Sequence, residues 1–226
     1  MDVPPSRVLG VLFDFGNTLF AHAPLALTIG ASARRLGLQI AADDVVAMAH
    51  RIESAAMSPE ELAYPRDLDQ TMWKQRWKVL YGMADEWAQG LGEAIDASMH
   101  APDQWIPYAQ SAATLHSLHQ HGLAVGIVSN TGWDVRTAFA EHAMADAVTS
   151  FTLSYEAGFV KPDHRIFEAA CDSLGVAPQQ LVMVGDDPRA DSGAVGAGIR
   201  TLLLPTLPPG VDNGVGEVLR LVGIHH

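Results

Sequence analysis

Short apolar runs that recur along the chain constrain its fold more than any other feature. They lie at residues 8–13, 123–128, 181–184 and 201–204, and residues 151–153 form a weaker fifth run. Each run has the length and composition of a buried parallel strand, and stretches with helical spacing separate the runs. Strands that alternate with helices predict an α/β fold whose core is a doubly wound, Rossmann-like parallel sheet.

Helix-end signals support the stretches between the strands. Asp163 can cap a helix that runs through Leu174, and Gly175 then stands where a left-handed residue commonly ends a helix. Asp43 can cap a second helix, which runs through Met57. These signals predict one helix within the first long gap between strands and another between the runs 151–153 and 181–184.

The region 22–107 has a different character from the rest of the chain. No strand-like run occurs in it, and apolar residues recur at helical spacing, as at Trp73 and Trp77. We therefore predict an α-helical domain over 22–107, inserted into an α/β core domain formed by 1–21 and 108–226. Its tryptophans are expected to pack helices together.

Charge limits the partners that the chain can bind. The 14 Lys+Arg against 26 Asp+Glu give a net charge of −12, which opposes the phosphate backbone of a nucleic acid. No signal core precedes Val8, and no run approaches the ~20 apolar residues of a membrane span. We expect a cytoplasmic monomer or homodimer with no nucleic-acid or membrane partner. His225 and His226, native or left from a purification tag, carry no functional argument.

Clusters of polar residues follow, or lie close after, the predicted strands. They are Asp14, then 129–131, then Lys161, then 185–187 with Asp191. The carboxyl ends of strands in an open α/β sheet line one crevice, so these clusters are expected to converge. Carboxylates, an ammonium and a hydroxyl together suit a hard divalent cation and a phosphoryl group.

In order and spacing, these four motifs resemble those of the haloacid dehalogenase-like (HAD) hydrolase superfamily. The stretches 158–163 and 184–191 carry the resemblance most specifically. The helical insertion after the first motif is similar to the C1 cap of subfamily I, which closes over small substrates. The resemblance extends over nearly the whole chain.

The resemblance implies a phosphatase that acts on a small phosphorylated metabolite through an aspartyl-phosphate, with Mg²⁺ as cofactor. It assigns overlapping residue sets to the parts of the reaction. Those sets are Asp14, Lys161 and Asp191 for catalysis; Ser129, Asn130 and Lys161 for phosphate binding; and Asp14, the Gly16 backbone carbonyl and Asp186 for the metal.

The sequence departs from the phosphatase pattern at Gly16. Most phosphatases of the family carry there a second aspartate, which protonates the leaving group and later activates water. Its absence should slow turnover of a poor leaving group by roughly 10²–10⁴-fold. Substrates with good leaving groups, such as acyl or aryl phosphates, would avoid this loss, and His22 or Asp187 could supply a substitute group.

Other readings stay open at this stage. Branches of the family that lack the second aspartate cleave carbon–halogen or carbon–phosphorus bonds, and the latter chemistry needs a lysine in the cap, where Lys74 and Lys78 are the candidates. The chain could also bind a ligand without turning it over. Retention of Gly185 and Asp186 favours phosphoryl chemistry, because the metal-independent dehalogenase branch lacks this pair.

Overall fold

The computed structural model of the chain describes residues 7–101 and 104–225. The prediction about a signal segment falls largely on residues 1–6, and that segment and His226 lie outside this range. The strands are β1 (Gly10–Phe13), β2 (Phe20–His22), β3 (Trp105–Pro107), β4 (Ala124–Ser129), β5 (Ser150–Leu153), β6 (Leu181–Gly185) and β7 (Arg200–Leu203). The helices are α1 (Leu25–Arg35), α2 (Ala42–Ala56), α3 (Pro59–Ala63), α4 (Gln70–Gly82), α5 (Leu91–Met99), α6 (Ser111–Gln120), α7 (Arg136–Glu141), α8 (Ser154–Ala157), α9 (His164–Leu174), α10 (Gly193–Gly196) and α11 (Val218–Leu221).

Five parallel strands in the order β5-β4-β1-β6-β7 form the main sheet. β1 lies at its centre, where Phe13 is in register with Ile127 of β4 and with Val184 of β6. All four residues of β1 are buried, which is why the run reads as continuously apolar in the sequence. The predicted α/β parallel fold is confirmed.

Successive side chains of the central strands contribute to two hydrophobic clusters, one on each face of the sheet. Val11 and Phe13 belong to one cluster with α6, whereas Leu12 belongs to the other with Phe167 of α9. This alternation follows from the two-residue period of a strand. Helices therefore cover both faces, as in a doubly wound fold.

Helix α9 shows the predicted ends. The side chain of Asp163 accepts a hydrogen bond from the Arg165 N–H, and Gly175 adopts a φ of 65° at the opposite end. The predicted cap of α2 is wrong, because that helix begins at Ala42, and Asp43 lies in its first turn instead. An acidic residue there still favours the helix through its dipole.

Helices α1–α5 have a hydrophobic cluster of their own, built from residues between Leu25 and Ile95. Ile29, Met48 and Leu91 are fully buried within it. None of the helices in the described part of the chain combines the length and apolar character needed to cross a membrane.

The absence of strands from 22–107 was predicted wrongly. Residues 20–22 and 105–107 form a two-stranded antiparallel ribbon, in which His22 is in register with Trp105. The ribbon pairs the segment that leads from the main sheet into helices α1–α5 with the segment that leads back from them. Three-residue strands 85 positions apart leave no periodic signal, so only the fold reveals them.

Candidate active site

The carboxyl ends of the central strands meet at one cavity of about 570 Å³. Asp14 follows β1, Ser129 ends β4, and Asp186 follows β6; Lys161 and Asp191 line the same cavity. These residues converge because β1 pairs directly with both β4 and β6. The sequence-predicted polar clusters therefore share one place in the fold.

Lys161 lies between two carboxylates. Its Nζ is 2.5 Å from Oδ1 of Asp14 and 2.6 Å from Oδ1 of Asp191, and its side chain is only 3% exposed. Burial opposes the charge, but the two carboxylates raise the pKa of Lys161 above its ordinary value. The ammonium therefore stays protonated and can offset negative charge beside Asp14.

The other oxygen of Asp191 shapes the turn after β6. Its Oδ2 accepts the backbone N–H groups of Asp186 and Asp187, both at 2.9 Å. A Cβ on Gly185 would lie 2.1 Å from that oxygen, so only glycine allows this approach. Asp191 thus acts as a positioning residue for Lys161 and for the turn that carries Asp186.

Two threonines hold the carboxylate of Asp186. Thr18 donates to Oδ1 and Thr206 to Oδ2, each at 3.1 Å. Burial raises the pKa of Asp186, with Asp191 adding to the effect and the threonines opposing it. Neither threonine was predicted from the sequence as a site residue. Thr206 comes close after the predicted strand 201–204, where a polar residue indicates a site at the end of the sheet.

Three carboxylates could hold a cation here. Oxygen atoms of Asp14, Asp186 and Asp191 all lie within 4.8 Å of one another. Burial raises the pKa of Asp14, with the charges of Asp191 and Asp186 adding to the effect and Lys161 opposing it. Hard oxygen donors in a negatively charged group fit Mg²⁺. Asp191 accepts three hydrogen bonds, one of them from the Lys161 ammonium, and its side chain is fully enclosed. Asp186 is less buried and accepts two longer bonds from hydroxyl groups, so Asp14 and Asp186 are better placed as ligands.

The side-chain amide of Asn130 makes two hydrogen bonds with the backbone of Lys161. Its Nδ2 donates to the Lys161 carbonyl at 3.0 Å, and its Oδ1 accepts the Lys161 N–H at 2.7 Å. Its side chain therefore positions Lys161, although the sequence analysis assigned it to phosphate binding. Ser129 is buried at the end of β4 and lines the cavity, where its hydroxyl can face a phosphoryl group.

Gly16 also lines the cavity, at the place where the second aspartate was expected. A Cβ there would lie 3.8 and 3.9 Å from ring atoms of Trp105, which is ordinary van der Waals contact, and the φ of Gly16 lies outside the left-handed region. Asn17 takes the left-handed conformation instead, with a φ of 57°. A Cβ at position 16 is therefore sterically allowed, and the packing around Gly16 does not require glycine there.

Of the two groups considered as substitutes, His22 lies on β2 beside Trp105, with ring centroids 3.8 Å apart. Burial, followed by the charge of His100, lowers the pKa of His22 to about 4. The imidazole is therefore uncharged near neutral pH and is a poor general acid. Asp187 lines the cavity through the same turn as Asp186.

Aromatic side chains also line the cavity. The residues of this aromatic wall are Phe15, Trp73, Trp77, Tyr81, Trp105 and Trp133. Trp73 and Trp77 thus line the cavity as well as packing between helices, whereas the Trp87 ring packs against the Arg51 guanidinium.

Lys74 and Lys78 lie elsewhere. They line a neighbouring cavity of about 560 Å³, which shares Trp73, His100 and Trp133 with the first. Among the lysines of the chain, all of which are described, only Lys161 lines the cavity with Asp14. Neither Lys74 nor Lys78 therefore lines the cavity with Asp14, as a Schiff-base lysine would have to.

Comparison with known proteins agrees with this arrangement. A family model described as haloacid dehalogenase-like hydrolase matches residues 8–198. A phosphoserine phosphatase of Thermus thermophilus is 33% identical over 123 residues, which are 54% of this chain and 48% of that protein. The chain therefore matches about half the length of that relative.

Two further comparisons extend over more of the chain. The (S)-2-haloacid dehalogenase 4A of Burkholderia cepacia is 28% identical over 176 residues, which cover 67% of this chain and 76% of that protein. A crystal structure of a dehalogenase is 21% identical with a TM-score of 0.71, covering 99% of this chain and 100% of that one. At that identity the structural likeness shows the fold alone.

Proposed function

The chain belongs to the haloacid dehalogenase-like hydrolase family, and from this membership we propose that it is a Mg²⁺-dependent phosphatase acting on small phosphorylated molecules. One observation carries the proposal: Asp14 and Asp186 present carboxylate oxygens within reach of one cation, beside the ammonium of Lys161. A metal-assisted nucleophile needs this combination, and the phosphatase relatives support it.

In the proposed reaction, a carboxylate oxygen of Asp14 bonds to phosphorus while the bond from phosphorus to the leaving oxygen breaks. Lys161 offsets charge on the nucleophile and phosphoryl oxygens, and the Ser129 hydroxyl donates to one of those oxygens. Water then cleaves the aspartyl-phosphate, which releases inorganic phosphate and restores Asp14. Asp14, Asp186 and the Gly16 carbonyl would hold Mg²⁺, which would supply positive charge that lets two anions approach.

The leaving oxygen lacks the usual acid. Gly16 has no acidic side chain, and His22 is uncharged near neutral pH, which leaves Asp187 as the other group in the cavity that was named as a substitute. Protonation by a positioned acid contributes roughly 10²–10⁴-fold, so its absence favours substrates whose leaving groups are stable as anions. Acyl and aryl phosphates have such leaving groups.

We also propose that residues 22–107 act as a cap domain over the cavity. Their helices have a hydrophobic cluster separate from those of the sheet, and their two connections to the core are tied by the β2–β3 ribbon. The cytoplasmic location and the monomeric or homodimeric state stay predictions from the sequence.

Dehalogenation is the second candidate, because a relative named as a haloacid dehalogenase matches 67% of the chain. Asp14 and Lys161 would serve that reaction too, but it needs no metal, and Asp186 held by two threonines would then have no role. A silent ligand-binding protein would show neither activity.

The test uses purified protein with acetyl phosphate and 4-nitrophenyl phosphate, each with MgCl₂ and with EDTA. Hydrolysis is expected only with metal, and Asp14→Asn should lower kcat by at least about 10³-fold. Asp43→Asn, at an exposed position in the first turn of α2 and not among the residues that line the cavity, serves as the matched control. Retained activity in Asp14→Asn, or halide release from 2-chloropropionate in EDTA, would overturn the proposal.

A further inference from the structure

Four of the five tryptophans of the chain line the cavity that holds Asp14. With Phe15 and Tyr81 they form the aromatic wall. The tryptophans of the chain are thus concentrated around one space. The part of the substrate that this concentration concerns is the leaving group, because only the phosphoryl group is transferred to Asp14.

One half of the wall comes from the helical segment. Trp73, Trp77 and Tyr81 are spaced four residues apart on α4, so they share one face of the helix. The Trp73 and Trp77 rings meet edge to face at 6.2 Å, and the Trp77 and Tyr81 rings stack at 5.3 Å. Rings that brace one another in this way hold a fixed surface.

The other half comes from the connections around the sheet. Phe15 follows the nucleophile, and its ring lies 4.6 Å from that of Trp105 on β3. Trp105 in turn stacks on Trp133 at 5.8 Å with an angle of 20° between the rings. Two braced aromatic surfaces from separate parts of the chain thus border the same space.

The space at these surfaces suits a ligand. Packed cores leave few voids larger than a water molecule, whereas a cavity of about 570 Å³ has the size of a small-molecule site.

The chemistry at Gly16 points in the same direction. A Cβ at this position would meet the Trp105 ring, so an aromatic surface lies where the missing acid would approach the leaving group. A phenolic oxygen has a pKa of about 10, whereas that of an alkoxide lies near that of water, about 15.7. A phenolate can therefore leave without a protein acid far more readily than an alkoxide.

We propose that the substrates are monophosphate esters of aromatic hydroxyl groups, whose ring binds the aromatic wall. This inference rests on the proposed phosphatase function. The Asp14 oxygen bonds to phosphorus as the bond to the aryl oxygen breaks, and the electron pair leaves on that oxygen, which takes a proton from solvent. Water then adds to phosphorus, returning the carboxylate and releasing inorganic phosphate and a proton.

Four probes separate the ring from the leaving group. Phenyl phosphate has a ring and a good leaving group, benzyl phosphate has only the ring, acetyl phosphate has only the good leaving group, and ethyl phosphate has neither. The KM of phenyl and benzyl phosphate should be lower than that of acetyl and ethyl phosphate, because only the first two carry a ring. Trp77→Leu should lower kcat/KM for phenyl phosphate by roughly tenfold and for acetyl phosphate by a much smaller factor.

Two further variants keep the test independent of folding. Trp77→Phe retains a ring and should recover most of the phenyl phosphate activity, and Trp87→Leu, outside the wall, should match the wild type. Equal losses of kcat/KM on phenyl and acetyl phosphate, or a KM for phenyl phosphate no lower than that for acetyl phosphate, would overturn the inference while the phosphatase function stands. Failure to hydrolyse any of the four with Mg²⁺ would remove the proposed function itself.

Discussion

Lys161 and Asp191 form a buried ion pair at 2.6 Å, and the same aspartate fixes the turn that carries Asp186. The side chain of Asp191 therefore links the Lys161 ammonium, which lies beside the nucleophile, to Asp186, the second candidate metal ligand. The side chain of Asp191 is only 1% exposed, so water cannot replace either interaction. This linkage makes Asp191 the residue whose loss should be felt most widely.

Asp191→Asn should cost about 3–5 kcal/mol of unfolding free energy, because it breaks a buried pair and leaves Lys161 with one carboxylate. Urea unfolding followed by circular dichroism measures the change. Asp163→Asn is the matched control, because asparagine caps a helix as well as aspartate does and the site is more exposed, so this variant should lose far less unfolding free energy. Equal losses in the two variants would contradict the central position of Asp191.

Gly16→Asp should restore the missing acid, because a side chain there meets only ordinary contacts. We expect kcat for an alkyl phosphate to rise by roughly 10²–10⁴-fold, with a much smaller gain on an aryl phosphate. Gly16→Asn matches the shape without the acid and should show no such gain. Equal behaviour of the two variants would mean that protonation of the leaving group does not limit turnover.

Mg²⁺ should stabilise the folded protein through Asp14 and Asp186. At a hundredfold excess over Kd the gain in unfolding free energy is about 2.7 kcal/mol, seen as a rise in Tm. Asp186→Asn should weaken the binding measured by calorimetry and, without metal, should not lower Tm, since it relieves repulsion among buried carboxylates. Asp212→Asn, on the surface away from the cavity, is the control. Unchanged Mg²⁺ affinity in Asp186→Asn would exclude the proposed ligand set.

The stability of the protein should depend on pH through His22. Its pKa is about 4 in the folded chain against 6.5 ordinarily, so the unfolded chain binds the proton more readily. The contribution of the neutral imidazole is complete above pH 6.5 and is lost as pH falls towards 4, by up to about 3 kcal/mol. Unfolding free energies between pH 4 and 7 should therefore fall less steeply in His22→Gln. Parallel profiles would show that His22 is not buried as described.

The sequence predicts the frame of this fold well because its signals are local. Continuous apolar runs mark the central strands, and Asp163 with Gly175 marks both ends of α9. The catalytic candidates follow from the same signals, since a polar residue at the end of a buried strand must lie at the edge of the sheet.

Pairings between residues that are far apart in the sequence cannot be predicted from such local signals. The β2–β3 ribbon joins residues 20–22 to residues 105–107, and no period marks either strand. The same holds for Asn130, whose amide meets the Lys161 backbone 31 positions away. The aromatic wall is assembled from four separate segments, so its rings can be counted from the sequence but not placed.

The ribbon of β2 and β3 has a further consequence for how the molecule could be rebuilt. Because Phe20 and Pro107 are partners across it, the inserted helices begin and end at one point on the core. A different insertion, or a short hairpin loop, could be grafted between these strands without changing the order of the main sheet. The junction is therefore a natural splice point, at which specificity could be exchanged while the chemistry at the strand ends is kept.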